Sequence, residues 1–506
     1  MKEKISNFTK NQAKSDLFWQ IVPITLILLL ATGLYLYQLG TESLWIDELI
    51  SVDRAKRDIL DLLWRGRTHL ILLKGWMVFG YSDSWLRGLC VICTIGSVFL
   101  IYQLGCRLAS KPVGLISALL MAVSPLFIHH AQEVRMYGVS TFFGLLGTLA
   151  LTSALKSPNK FSISFWAIAR YLAIRSTKLN LLLLLPDTVL FVWRFRKQKR
   201  VLLSFALGLI TICLLWSPLL INAAKTTTVF MGGFRETVET VETVETGVVN
   251  KPDKKPRPTI INVLLQPGRF TAWSFGRPNS TAIFWFYNLY SVMVASLIGL
   301  AFFEKRNSHK LGWAAAWGFL PLIPIFLVSQ ISRSLWVDRY LLFTAPYLFI
   351  LLAAGFMGVW RRWRIPVVAI ALIYFVAVGG GLKRYYTVKD REDWRGFVQL
   401  IQTNEQSGDV IVWKANQSRP RALNHYYRGS ATIEVRIDEP EDNPQAVESW
   451  LESLPKTRSR IWLAYANPSP NLLSGIEKKF KAEEVYKIKV NGTLELFLLT
   501  PRTSEI

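Results

Sequence analysis

The chain has 506 residues, 51% of them hydrophobic, 13% aromatic and 19% charged, with a formal net charge of +24. That balance excludes an ordinary soluble protein of this length, which carries more charge and fewer long apolar runs, and the length allows more than one domain. The basic excess does not mark a nucleic-acid binder, because Lys and Arg fall in short clusters between apolar segments, where they orient a membrane protein.

In chain order, Met1 to Asp16 is polar, and Phe18–Tyr37 is long enough to span and too long for a signal h-region. Further spans are predicted at Leu89–Leu104, Val113–Ile128, Gly138–Leu155, Val201–Ile221, Ala282–Phe303, Leu311–Val328, Leu341–Val359 and Ile365–Leu382. Basic clusters alternate between them: Lys2 to Lys14, Arg107 with Lys111, Lys156 with Lys160, "RFRKQKR" ending at Arg200, "KRNSHK" at Lys305–Lys310 and "RRWR" at Arg361–Arg364. The positive-inside rule makes all of these cytoplasmic. Lys160 and Arg194 then require an even number of spans between them, which the residues supply as two half-length legs, Phe161–Ile174 and Leu179–Trp193, broken by "RSTK". The expectation is a polytopic α-helical membrane protein of about 11 spans in a plasma (inner) membrane, with its N-terminus cytoplasmic and its C-terminus outside.

The expected extracytoplasmic segments are Gly40–Arg87, His129–Tyr137, Asn222–Thr281, Ser329–Tyr340 and everything after Leu382. "THLILLKGWMVFG" in the first is short and carries Lys74, which suits an interfacial helix. "TVETVETVET" in the third has period three, which fits neither helix nor strand, and reads as an exposed loop. After Leu382 the composition becomes that of a soluble domain, so the domains are set at 1–384 and 385–506. "EDWRGFVQLIQTN", "PQAVESWLESL" and "LLSGIEKKF" have helical patterns, with Asn443 as N-cap and Pro444 at the first helical position. "VIVW", "RIWLAYA" and "LELFLLT" read as strands, giving a small extracytoplasmic α/β domain.

This topology gathers acids and arginines at one membrane face: Asp47 and Glu48, then Glu133 and Arg135, then Asp338 and Arg339. Such a set suits group transfer from a lipid-borne phosphate. A carboxylate takes the proton of an attacking hydroxyl, and arginine forks bind the departing phosphate. Each pair also has a plain structural reading: a hydrated helix cap for Asp47-Glu48, an ion pair for Glu133 and Arg135, an interface anchor for Asp338-Arg339. His129-His130 reads as interfacial, since adjacent histidines rarely bind one ion. The carboxylates permit a divalent metal, yet no ligand set with clear spacing appears, so no metal site is assigned. Cys90, Cys93, Cys106 and Cys213 lie in or beside apolar segments, and the CxxC of the first two reads as helix packing. Asp187 is the one acid inside a predicted span.

"ESLWIDE", "HHAQEVRMYGV" and "DRYLLFTAPYLFILLAAG" occur in an order that resembles bacterial membrane glycosyltransferases of family 39, relatives of the dolichyl-phosphate-mannose protein mannosyltransferases with the GT-C fold. The resemblance covers about the first 385 residues. It implies a polyprenyl-phosphate-linked sugar donor and an inverting transfer to a protein, lipid or glycan acceptor on the extracytoplasmic face. By motif position Asp47 would be the general base and Glu48 its support, with Glu133 and Arg135 completing the site. Arg339, beside Asp338, would contact the donor phosphate, and Tyr137 and Tyr340 would line it. The chain departs from the family where "GRTHLILLKGWMVFGYSDSWLRG" lacks the usual His-Pro-Pro near His69, and where "YLAIRSTKLNLLLLLPDTVLF" is a shortened hairpin. A transporter or flippase for lipid-linked sugars, and an inactive relative that binds them, are the rival readings. A transporter would bury its ionisable residues deep in broken spans.

Overall fold

The computed structural model describes residues 21–65, 67–226, 257–272, 280–303, 308–331, 334–389, 391–414, 420–436, 443–455, 460–489 and 493–501. They fall into two compact units, one drawn from 21–39, 55–226 and 257–389, the other from 40–54 and 391–501. The predicted Val-Glu-Thr loop at 237–246 lies outside the described residues.

Among the described residues, the regular structure of the first unit is all helical. Among the described residues seven helices are long and apolar enough to cross a membrane, such as Asp83–Leu108, Met136–Lys156 and Arg364–Thr387. An eighth span results if the bent pair Lys111–Ala122 and Pro125–Ala131 counts as one, and Ile21–Leu36 is a shorter apolar helix. Their outer faces are apolar in a way water would not tolerate. On the helix Lys199–Thr226, Leu203, Leu207, Ile210 and Leu214 are each more than half exposed, and their spacing makes one helical stripe. The predicted hairpin is present as Lys160–Ser176 and Leu184–Phe195, joined by a 3-10 turn at Lys178–Leu183. Its legs have 17 and 12 residues, the first at the lower limit of what spans a bilayer and the second below it. Thr68–Met77 is a helix where an interfacial one was predicted, and Lys74 donates to the Arg57 carbonyl at 2.7 Å.

Asp187 lies on the second leg and is fully buried. Arg170 forks onto it, with Nε to Oδ2 at 2.6 Å and the terminal nitrogen to Oδ1 at 2.9 Å. The indole N–H groups of Trp166 and Trp317 complete its shell at 2.8 and 2.7 Å. Arg170 also donates to the Gly144 carbonyl and to Thr148, whose hydroxyl meets that of Tyr347. This network ties five helices together where hydrocarbon offers no alternative partner.

The second unit holds a five-stranded sheet of order β2-β1-β3-β5-β4, with β1 Val410–Lys414, β2 Thr432–Val435, β3 Ile461–Ala466, β4 Phe480–Lys489 and β5 Thr493–Pro501. β1 runs parallel to β2 and β3, while β5 is antiparallel to β3 and β4. The helices Trp394–Asn404, Arg421–Tyr426, Pro444–Glu452 and Pro470–Lys479 complete the α/β domain. Asn443 caps Pro444–Glu452 by accepting from Ala446 N at 2.8 Å, as the sequence predicted. Two strands were not predicted. β2 is a short edge, and β4 is an edge interrupted by Lys and Glu, which suppress edge pairing and hide the strand pattern.

Gly408, at φ 89°, turns the chain into β1 at low steric cost. Beside it, Asp409 accepts from Arg460 at 2.8 Å, Gln406 N at 3.0 Å and Trp462 Nε1 at 2.9 Å. Burial pushes the Asp409 carboxyl up, but these bonds, Arg460 foremost, hold it below the usual range. A depressed acid stabilises the fold above its unfolded pKa. Asp409→Asn is therefore expected to destabilise this domain by about 1.5–3 kcal/mol. The difference from wild type should persist above pH ~4 and vanish as pH falls through the lower folded value. Unfolding midpoints followed by tryptophan fluorescence across pH would check it, and a gap that does not close in acid would refute the assignment.

Candidate active site

The predicted site residues divide between the two units: Asp47 and Glu48 lie in the second, and Glu133, Arg135, Tyr137, Asp338, Arg339 and Tyr340 in the first.

In the second unit, Ile46–Ala55 is a helix whose first turn carries Asp47 and Glu48, the charge its N-terminus prefers. The carbonyl of Trp45 accepts the opening helical bonds from Glu48 and Leu49. Glu48 reaches back to Trp45 N at 3.2 Å, as in half of a capping box. Its Oε2 also lies 3.7 Å from an Arg391 nitrogen, and its side chain is fully buried. Asp47 is half-buried. Adjacent acids thus have different access: Glu48 faces protein, and Asp47 is partly open to solvent.

In the first unit, the 62° bend between Lys111–Ala122 and Pro125–Ala131 starts the site. Pro125 cannot continue the preceding helix. Ser124 caps the new helix by accepting from Phe127 N, and it donates to the Phe270 carbonyl at 2.6 Å. The short helix ends in His129 and His130, and both turn onto Glu133: His129 Nε2 lies 3.1 Å from Oε1, His130 Nδ1 2.8 Å from Oε2. Glu133 is 2% exposed. Burial pushes its carboxyl up, yet the two imidazoles outweigh this and hold it well below the usual carboxylate range. The adjacency that spoke against a shared ion in the sequence does not separate these side chains, because one uses Nε2 and the other Nδ1. One ligand atom from each of the three residues lies within 4.8 Å of the others, a His-His-carboxylate set of the kind that holds Zn²⁺ or a similar divalent ion.

Arg135 and Tyr137 follow at the start of Met136–Lys156 and are both buried. That helix begins in close contact with Asp83–Leu108. A methyl on Gly138 would meet Thr94 Oγ1 at 2.8 Å and the Cys90 carbonyl oxygen at 2.9 Å, so glycine is required for the approach. Cys90 Sγ, on the Asp83–Leu108 helix, donates to the Arg135 carbonyl at 3.0 Å. Tyr137 stacks obliquely on His130, ring centroids 4.6 Å apart. Its hydroxyl lies in the combined field of Arg135, Arg339, Glu133 and Tyr340. Four other predicted residues therefore lie within electrostatic reach of Tyr137. The Arg339 guanidinium lies 5.1 Å from the Tyr340 ring centroid. Asp338 opens the same turn and accepts from Gln266 Nε2 at 2.8 Å, while Gln266 accepts from Trp336 at 3.0 Å.

Gln266 and Gln132 were not predicted. Gln132 donates to the carbonyls of Tyr35 and Tyr37 and accepts from Tyr385 at 2.7 Å, so it binds the ends of Ile21–Leu36 and Arg364–Thr387 to the Glu133 turn. Its place one residue before Glu133 was the available signal. Nothing comparable marks Gln266, which lies 72 residues from Asp338.

No protein-family model matches the chain, and no curated protein matches its sequence. Solved structures do match. ArnT from Cupriavidus metallidurans bound to undecaprenyl phosphate aligns with a TM-score of 0.58 at 13% identity, over 94% of this chain and 97% of that one. The Archaeoglobus fulgidus oligosaccharyltransferase in its apo form aligns at 0.53 and 12% identity, over 97% of this chain and 75% of that one. AglB from A. fulgidus, in complex with an inhibitory peptide and a dolichol-phosphate, aligns at 0.50 and 11% identity, again over 97% and 75%. Likeness at such identity is one of fold: the chain has the membrane-helical, GT-C-type fold that its three ordered motifs resemble.

Proposed function

We propose that the protein is a multi-pass membrane glycosyltransferase that moves a sugar from a polyprenyl-phosphate carrier to an acceptor hydroxyl. The transfer takes place on the extracytoplasmic face of the plasma membrane, with inversion at the sugar carbon, and the C-terminal domain lies on that same face. Asp47 is the general base, taking the acceptor proton as the hydroxyl attacks. Arg135 and Arg339 bind the leaving phosphate, Tyr137 and Tyr340 line its place, and Glu133 with Asp338 holds those groups in position. A divalent ion at His129, His130 and Glu133 would add positive charge beside that phosphate. What supports the reading is that the buried Arg135 and Tyr137 follow directly on the His129, His130 and Glu133 cluster, in a chain aligned almost end to end with a structure that holds undecaprenyl phosphate.

The transporter reading is the weaker one. Asp187, the acid deepest in the apolar region by sequence, is saturated by Arg170 and two indoles, which leaves it no capacity to relay an ion. The test is sugar release by the purified protein in nanodiscs from a panel of polyprenyl-phosphate sugars. Arg339→Ala is expected to raise the donor KM by about 10–100-fold, the loss of a charged hydrogen bond to phosphate. Donor binding with no turnover for any sugar and acceptor would replace this reading with that of an inactive binder, and movement of the intact lipid-linked sugar across the bilayer would favour the flippase.

A further inference from the structure

The C-terminal domain has an assignable task within its own unit. In the segment that opens it, Arg391, Glu392, Trp394 and Arg395 all bond to the first loop. Glu392 Oε2 accepts from Ile46 N at 3.1 Å and from Trp394 Nε1 at 3.0 Å. The Glu392 carbonyl accepts from Ser43 Oγ at 2.7 Å, and the same Ser43 oxygen accepts from Trp394 N at 3.1 Å. Arg391 lies 3.7 Å from a carboxylate oxygen of Glu42 and 3.7 Å from one of Glu48. Farther into the domain, Tyr426 Oη accepts from Leu44 N at 2.7 Å.

The pattern is specific. A helix N-terminus leaves backbone N–H groups without helical partners. Here Leu44 N goes to Tyr426, Trp45 N to Glu48 and Ile46 N to Glu392. Every backbone N–H in the run leading into Asp47 therefore ends on a side chain, and two of the three acceptors belong to the C-terminal domain. Two of the three are carboxylates, Glu48 and Glu392, at a helix N-terminus that favours negative charge. Burial pushes the Glu392 carboxyl up, and the charges of Asp47 and Glu48 push it further, against the bonds from Trp394 and Ile46. Arg391, 3.7 Å from both Glu42 and Glu48, supplies positive charge beside this group of acids.

We infer that Glu392, supported by Arg391, is a positioning residue for Asp47: the C-terminal domain carries the clasp that sets the catalytic first turn. The inference rests on the proposed transferase reading. Glu392 holds the turn through Ile46, and Arg391 holds it through Glu48. Asp47, between those two contacts, is fixed at its backbone while its carboxylate stays half-buried.

The test uses the full-length protein in nanodiscs. Glu392→Ala removes both acceptor bonds. It is expected to lower kcat by about 10–100-fold, the scale for a displaced catalytic group, with the donor KM unchanged. Amide hydrogen exchange over residues 44–48 should rise in the same variant. Glu392→Gln can keep both bonds, because both fall on one oxygen, and should restore kcat and protection together. Wild-type kcat and exchange in Glu392→Ala would overturn the inference, as would Glu392→Gln no better than Glu392→Ala. If the wild-type protein turns over no polyprenyl-phosphate sugar, the transferase reading fails, and the exchange arm still decides whether the clasp exists.

Discussion

Asp47→Asn is expected to abolish most turnover, by about 10²–10⁴-fold, while leaving the unfolding temperature nearly unchanged. The amide has almost the shape of the carboxylate and cannot accept a proton from an attacking hydroxyl. Its cost to the fold is confined to the lost negative charge at the start of Ile46–Ala55, about 0.3–1 kcal/mol at an exposed position. Asp47 is half-buried, which sets the upper bound of that cost at about 2 kcal/mol. Glu48 gives the contrasting case. It is fully buried and bonded to Trp45 N and Arg391, so its loss should disturb the loop and the rate together. Parallel measurement of kcat and thermal unfolding for both variants separates the roles. An Asp47→Asn protein that still turns over at the wild-type rate would remove Asp47 from the chemistry.

The second large effect concerns stability. Asp187→Ala should destabilise the helical unit by about 3–5 kcal/mol, because it leaves a fully buried guanidinium without its counter-charge. Two indole N–H groups lose their acceptor at the same stroke. Arg170→Met should be similarly damaging, since it strands the carboxylate. The double change Arg170→Met with Asp187→Leu should be far milder than the sum of the single changes, because neither charge is then left alone. Thermal unfolding of the three variants in detergent is the measurement. Single variants that melt with the wild type would mean that the network carries no stability.

The long helices were legible in the sequence because a bilayer demands unbroken apolar runs, and Asn443-Pro444 was legible because helix caps are local chemistry. Asp187 was visible as an anomaly, but its partners Trp166, Arg170 and Trp317 were not, since they sit on other helices. The same limit hid Glu392, which lies 346 residues from the backbone group it caps. His129 and His130 were judged by adjacency, whereas the bend before Pro125 and the choice of ring nitrogen decide where they point. For Asp47, Glu133 and Arg339 the motifs supplied the names. The division of these residues between two units was not readable, because it depends on which distant segment Gly40–Arg54 pairs with.

That pairing has a consequence for biosynthesis. The first loop leaves the ribosome long before Glu392 exists, and 346 residues of chain must follow before its cap arrives. At roughly 5–20 residues per second the delay is about 20–70 s. Throughout that interval the Asp47 turn lacks its distant bonds. On the proposed reading, a chain stopped anywhere in the helical region would carry Asp47 without the contacts that set it, so synthesis of the segment around Glu392 would act as the licensing step.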